Sequence, residues 1–306
     1  MFQMKYSKSI SPGLAAISIL CLFAASVEAQ GTPRPVSVKP LHDGVYWVEG
    51  GVGSNTGFIV GTDGVIVFDP KESVDSAKQV LSEIAKITPK PVTHVIVSHS
   101  NPDHVKGLPA YKGATIVAQQ NAAKEIELLA FYAVHTVDNA PDWRAFVPSQ
   151  TVDTRADVKI DGVNIDLLHF APAHTSGDLV AFLPDQKIVF VGDLFGAGIH
   201  LENNGSSEGM IESLRGLVSL DADTYVRGHA PPATKADMQK ILDDMTEKRN
   251  KIVKLYAEGK SLEEAEQAMG EKVIPEPPPA PAPLKAYRPA RDMNYTEIVY
   301  TELARR

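Results

Sequence analysis

Histidines and aspartates stand where apolar, strand-like runs of this chain end. Six of them are candidate ligands for a divalent cation, namely His99, Asp103, His104, His174, Asp193 and His229. Neutral imidazole and carboxylate are good zinc ligands, at roughly 2.0–2.2 Å, and a bound zinc ion can lower the pKa of its water to roughly 7. Strand ends gather along one edge of a sheet, so residues distant in sequence can converge there. The pattern predicts a metal site that activates water.

The elements that would position these residues alternate between strands and helices. In the first half, hydrophobic periodicity and Gly-rich turns predict strands at 44–49, 56–60, 64–68, 92–97 and 115–118, and helices at 74–87, from Pro102, and at 121–130. In the second half they predict strands at 158–160, 163–170, 179–182, 187–191 and 225–227, and helices at 235–256, from the capping box at Ser261, and at 294–306. The β-β-β-α beginning recurs loosely, which favours an α/β fold with helix–sheet–sheet–helix layers.

The N-terminus has the pattern of a signal peptide. Lys5 and Lys8 precede an apolar stretch at 14–25, and small residues around Ala29 predict cleavage after that residue. A membrane anchor is the alternative, although the stretch is short for a span of about 20 residues. The single cysteine, Cys21, would leave with the signal. Any metal must then be held by histidine, carboxylate or amide groups, because no thiolate remains.

Composition supplies enough apolar material for a sizeable core, and length alone permits one large domain or two small ones. The chain has 306 residues, is 43% hydrophobic and carries a net charge of −8 with no basic stripe, which argues against nucleic acid as a partner. We expect a signal peptide at 1–29, a flexible lead-in at 30–40 and one domain at 41–306. That domain includes a helical extension at 235–306 with a Pro-rich connector at 275–290. The final helix should dock onto the main body, since too few residues follow the connector to form a core.

The segment His99-Ser-Asn-Pro-Asp-His104 resembles the His-x-His-x-Asp-His signature of the metallo-β-lactamase superfamily. Three further matches follow in the family's order, at 173–178, 191–193 and 228–229, and Asp69 at the end of a strand also matches. Together they span roughly residues 42–232 of the chain. The resemblance implies a four-layer αββα sandwich of two mixed sheets, with its metal site in a cleft at one edge.

The resemblance also implies a role for each matching residue. His99 and His174 would bind a first metal ion, Asp103, His104 and His229 would bind a second, and Asp193 would bridge the two. Asp103 would in addition orient the attacking water and so act in catalysis. The implied cofactor is zinc, as one or two ions, with iron or manganese as alternatives.

Asn101 departs from the signature, because it stands where the family has its second histidine. An amide oxygen is a weaker zinc ligand than imidazole, so the first metal ion should bind less tightly. Asn before Pro102 is also a common helix start, with Asn as the cap and Pro at the first helical position. Weak ligation and helix capping both remain open as roles of Asn101.

Other polar residues have plainer interpretations. His135 and His200 lie in loop-like stretches that could border the cleft. Glu125 is on a predicted helix and is interpreted as part of a solvated face.

The leading hypothesis is an exported, zinc-dependent hydrolase that opens a C–N, C–O or C–S acyl bond in a small molecule, such as a β-lactam, lactone or thioester. One alternative is an iron-dependent oxidoreductase of the same fold. The other is a non-catalytic metal- or ligand-binding protein, which Asn101 favours. No nucleic-acid partner is expected, and no association with a membrane is expected once the signal peptide has been removed. The fold by itself does not fix the substrate.

Overall fold

Two mixed β-sheets pack face to face in this computed structural model. It describes residues 34–136, 143–196, 198–274 and 293–305, without the side chains of 129–143. The predicted signal peptide and Pro-rich connector lie outside the described residues. The first sheet has the strand order of the chain: β1 (Val36–His42), β2 (Val45–Gly50), β3 (Thr56–Val60), β4 (Val65–Phe68), β5 (Val92–Ile96), β6 (Thr115–Gln119) and β7 (Gln150–Val152). Strands β1 to β4 pair antiparallel, and β4 to β7 pair parallel.

The second sheet has six strands, and strands consecutive in the chain are again neighbours in the sheet. They are β8 (Arg155–Ile160), β9 (Val163–Leu168), β10 (Val180–Leu183), β11 (Ile188–Gly192), β12 (Thr224–Arg227) and β13 (Ala233–Thr234). All pairs are antiparallel except β11 with β12, which run parallel.

The helices are α1 (Val74–Ile87), α2 (Pro102–Val105), α3 (Gln120–Thr136), α4 (Ser207–Ser219), α5 (Lys235–Ala257), α6 (Leu262–Met269) and α7 (Tyr295–Ala304), with 3-10 turns at Leu108–Ala110, Trp143–Phe146 and Leu201–Asn203. Helices α1 and α3 cover the outer face of the first sheet, and α4 and α5 cover that of the second. The predicted αββα layering is therefore confirmed. No helix among the described residues is both long and apolar enough to cross a membrane.

Strand β4 shows why its sequence is an uninterrupted apolar run. Successive side chains of a strand point to opposite faces. Val65 and Val67 accordingly pack under the helices of the first layer, while Ile66 and Phe68 pack between the two sheets. A strand buried on both faces needs apolar residues at every position.

Two elements differ from the sequence predictions. The lead-in predicted at 30–40 is wrong from Val36 onward, where β1 pairs with β2; proline at position 40 is tolerated because β1 is an edge strand. Helix α4 lies where no element was predicted, since its serines and glycines are weak helix formers. Its apolar residues Met210, Leu214 and Leu217 nevertheless face the core at helical spacing.

The C-terminal helices form a smaller cluster. Ile252 of α5, Ala265 of α6 and Val299 of α7 are fully buried against one another. Glu302 of α7 accepts hydrogen bonds from the backbone N–H and the hydroxyl of Ser207 at the first turn of α4. The last helix is thus tied to the main body.

Candidate metal centre

The carboxyl ends of four strands bring three candidate ligands and the supporting carboxylate of Asp69 to one edge of the sandwich. Asp69 follows β4, His99 follows β5, Asp193 directly follows β11 and His229 follows β12. His104 lies in the short helix α2 that opens just after His99. The sandwich therefore converts scattered sequence positions into neighbours.

All six predicted side chains come together in two groups. In each group the nitrogen and oxygen atoms that could bind a cation lie within 4.8 Å of one another, and the groups are His99–His174–Asp193 and Asp103–His104–His229. Asp193 also connects them, since Oδ2 lies 3.6 Å from His174 Nε2 and 3.5 Å from His229 Nε2. A carboxylate in that place can contact ions in both groups.

Hydrogen bonds behind the histidines fix which ring nitrogen faces the centre. His174 Nδ1 donates to the carbonyl of Gly198, which can only accept. His104 Nδ1 donates to Asp69 Oδ2 at 2.8 Å. The Ser98 hydroxyl donates to the same carboxylate oxygen at 2.8 Å and can therefore accept from His99 Nδ1, also at 2.8 Å. When these rings are neutral, Nε2 of each carries the lone pair that metal ligation requires.

Charge at the centre is also arranged for a cation. Burial lowers the pKa of His99 well below its usual value and that of His174 to about 3, so both rings are neutral. Burial also disfavours charge on His104, but the carboxylates of Asp69 and Asp193 outweigh it and raise its pKa to about 9. Without a metal ion, protonated His104 partly neutralises the negative charge of the surrounding carboxylates.

Two buried atoms test whether a metal ion fits this donor set. His99 Nε2 and Asp193 Oδ1 have no hydrogen-bond partner among the described residues. His104 Nε2 lies 3.2 Å from His229 Nε2, which also lies 2.9 Å from Asp103 Oδ2. Unsatisfied buried polar atoms are costly, and a cation would satisfy His99 Nε2 and Asp193 Oδ1 together. The residues present therefore fit a metal ion.

Gly228 forms part of the floor of this centre. A Cβ atom at this position would lie 2.1 Å from Asp193 Oδ1 and 2.9 Å from His104 Cε1. Glycine before His229 therefore leaves room for two ligands from other elements. The match at 228–229 is explained by this steric requirement.

Asn101 does not cap helix α2 with its side chain. It occupies the cap position of the backbone, with Pro102 next, but no side-chain capping bond is made. Its Nδ2 instead donates to His174 Nε2 at 3.1 Å. The capping interpretation is thus wrong for the side chain, which faces the centre. In this arrangement the amide occupies the lone pair of His174 that a metal ion would use.

Sequence reasoning missed several supporting residues. Ser98 and Asp69 form the hydrogen-bond chain behind His99 and His104, and only the strand position of Asp69 hinted at it. Glu125, interpreted as solvated, accepts hydrogen bonds from Ser100 and other residues. His200 does border the centre, because its ring lies 4.6 Å from that of His174, centroid to centroid. The side chain of His135 lies outside the described residues.

Comparison with known proteins places this site in a family. The family model described as metallo-beta-lactamase superfamily matches residues 50–229. The linear primary-alkylsulfatase of Pseudomonas sp. (strain ATCC 19151) is 24% identical over 215 residues, which cover 56% of this chain and 40% of that protein. The hydroxyacylglutathione hydrolase of Rhizobium meliloti (strain 1021) is 27% identical over 139 residues, covering 44% of this chain and 46% of the relative.

A solved structure supports the same fold. The stereoselective inverting sec-alkylsulfatase from Pseudomonas sp. superposes with a TM-score of 0.60 at 15% identity, covering 79% of this chain and 46% of that one. The chain spans less than half the length of these three proteins. The family match includes every one of the six candidate ligands and more than half of the residues. This chain belongs to the metallo-beta-lactamase superfamily.

Proposed function

We propose that this chain is a zinc-dependent hydrolase that opens an acyl bond in a small molecule. The observation that carries the proposal is the convergence of four imidazoles and two carboxylates at one sheet edge, with hydrogen bonds that turn the Nε2 lone pairs of His99, His104 and His174 inward. A ligand set without thiolate, in which the side chains of His229 and Asp103 are partly exposed, is typical of catalytic rather than structural zinc sites.

Each group of side chains would hold one ion. His99, His174 and Asp193 would bind the first and Asp103, His104 and His229 the second, with Asp193 shared. A bound zinc ion supplies Lewis acidity and lowers the pKa of its water to about 7. The first position would be the weaker one, because Asn101 supplies an amide in place of an imidazole.

Asp103 is suited to orient the attacking water. Its side chain is 30% exposed, so it reaches the cleft, and its Oδ2 lies 2.9 Å from His229 Nε2. Burial opposes ionisation, but the hydrogen bond from His229 and the charges of His104 and His229 lower its pKa to about 2. At neutral pH it is a carboxylate that can accept a water hydrogen and aim the oxygen at a carbonyl carbon.

The substrate class is proposed from chemistry and from one relative. Water activation at this site suits β-lactams, lactones or thioesters, and the name of the hydroxyacylglutathione hydrolase denotes an acyl compound. A sulfate ester is the second candidate, which the alkylsulfatase relative favours. An iron-dependent oxidoreductase and a non-catalytic binding protein are the competing functions, which metal analysis and turnover measurements distinguish.

The test is metal analysis of the purified protein, followed by turnover of a panel containing a thioester, a lactone, a cephalosporin and an alkyl sulfate. We expect bound zinc and turnover of at least one acyl substrate that a chelator abolishes and zinc restores. Bound iron with oxygen consumption would favour the oxidoreductase. Metal binding without turnover of any compound would favour the binder.

We further propose that residues 1–29 direct export to the periplasm or outside the cell. Support comes from the lysines and apolar stretch of that segment. Cell fractionation with N-terminal sequencing should find a mature protein beginning at Gln30. An uncleaved protein in the cytoplasmic fraction would contradict export.

A further inference from the structure

Three loops of the metal centre meet at one carboxylate on helix α3. Glu125 Oε2 accepts hydrogen bonds from the hydroxyl of Ser100 at 2.5 Å and from Nδ2 of Asn203 at 3.4 Å. Its other oxygen accepts from the hydroxyl of Ser176 at 3.3 Å. Ser100 is fully buried and Ser176 nearly so, so these bonds, to a partly buried Glu125, are partly shielded from water.

Each of these loops is next to a candidate ligand or supports one. Ser100 separates His99 from Asn101, and Ser176 follows His174 by two residues. The Asn203 turn is bound to the same ligand loop, because Ser176 N–H donates to the Asn203 carbonyl at 2.8 Å. Glu125 therefore connects the loop of His99 to the loop of His174.

The start of α3 is itself fixed against the His174 loop. Asn121 Nδ2 donates to the Ser176 carbonyl at 3.2 Å. A Cβ atom on Gly177 would lie 2.4 Å from the backbone nitrogen of Ala122, so helix and loop are in direct backbone contact. Glu125, about one turn further along α3, projects from an anchored base.

We propose that Glu125 is a positioning residue that sets the separation of His99 and His174, and with it the metal affinity of the His99–His174–Asp193 group. The second group does not depend on this connection, since Asp69 orients His104. The inference takes from the proposed function that this group binds a metal ion. The expected consequence is a selective loss at one of the two metal positions.

The experiment compares full-chain E125A and E125Q with wild type and with E127Q. Glu127 is an exposed residue of the same helix and serves as the matched control. Zinc affinity is measured by competition with a chromophoric chelator, and ligand geometry by the visible spectrum of the cobalt-substituted protein. Amide hydrogen exchange of peptides covering 98–101 and 174–177 is followed in the metal-free protein.

We expect E125A to weaken the lower-affinity zinc step by about tenfold or more, to change the cobalt spectrum and to speed exchange in both peptides. E125Q should lie between E125A and wild type, because its amide retains one of the two acceptor oxygens. E127Q should match wild type in every readout. Wild-type affinity, spectrum and exchange in E125A, or equal losses in E127Q, would overturn the proposal.

Two further outcomes remain decisive. Wild-type protein that takes up no metal would refute the proposed function, and exchange in the metal-free variants would still decide the role of Glu125. If E125A does not fold, a double-mutant cycle of E125Q with S176A replaces it. Coupling in exchange protection of 174–177 supports the connection, and simple additivity overturns it.

Discussion

Replacing Asp69 with asparagine should weaken zinc binding without removing any ligand. Asp69 is buried and accepts from the backbone N–H of Ser98, from the Ser98 hydroxyl and from His104 Nδ1, each at 2.8 Å. In D69N, one oxygen can still accept from the Ser98 N–H. The new amide NH₂ then faces the hydroxyl and His104 Nδ1, which favours the tautomer of His104 that carries its hydrogen on Nε2. That hydrogen must be moved before the ring can bind a metal ion.

The size of the effect follows from the bond that is lost. A hydrogen bond to a charged group contributes about 1.5–3 kcal/mol, which corresponds to roughly a 10- to 100-fold change in a dissociation constant. Loss of a partner that orients a metal ligand has an effect of the same order. We therefore expect the zinc dissociation constant of D69N to rise by about 10- to 100-fold.

The assay is competition with a chromophoric chelator at neutral pH, with D161N as the matched control. Asp161 is a partly buried carboxylate that, like Asp69, accepts a hydrogen bond from a hydroxyl, here that of Thr93, but it lies in the turn between β8 and β9. D161N should bind zinc as wild type does. Wild-type affinity in D69N, or an equal loss in D161N, would refute the role assigned to Asp69.

Three further changes should have distinct effects. N101H should raise bound zinc toward two ions per chain, because it supplies an imidazole where the amide now contacts His174; unchanged stoichiometry by elemental analysis would contradict this. G228A should reduce the free energy of zinc binding more than the free energy of unfolding, because the added methyl group would collide with Asp193 Oδ1. Unaltered zinc affinity would contradict this steric role of Gly228. Burial lowers the pKa of Lys71 from 10.5 to about 8, despite the opposing charges of Asp69 and Glu49. The unfolded chain therefore holds more protons between these pH values, and the free energy of unfolding should rise by up to about 3 kcal/mol as pH increases from 8 to 10.5. K71M should lack this rise in urea unfolding, and a slope equal to wild type would refute the assignment.

The family's spacing made the centre predictable from the sequence. The six candidate ligands lie after strands whose apolar runs are easy to recognise, or in the short helix that opens after one of them, and the structure brings all six together. Helix α1 was predicted with the bounds that the structure shows, because its apolar residues repeat with helical period between clear turns. The roles of the six candidate residues as metal ligands stay predictions.

The sequence predictions that were wrong or missing concern features that depend on tertiary contacts. The Asn-Pro pair correctly predicted where helix α2 begins, but not that the side chain of Asn101 would turn toward His174. Glu125 has no local signature, because its donors at positions 100, 176 and 203 are brought to it by folding. Strand β1 was hidden by prolines that an edge strand tolerates, and α4 by glycines and serines.

The central claim is that these histidines and aspartates hold a metal ion, and anomalous diffraction at the zinc edge tests it most directly. Crystals of the protein as purified should show an anomalous peak in contact with His104 and His229. A second, weaker peak is expected beside His99 and His174. Crystals soaked in zinc that show no peak among these side chains would contradict the account.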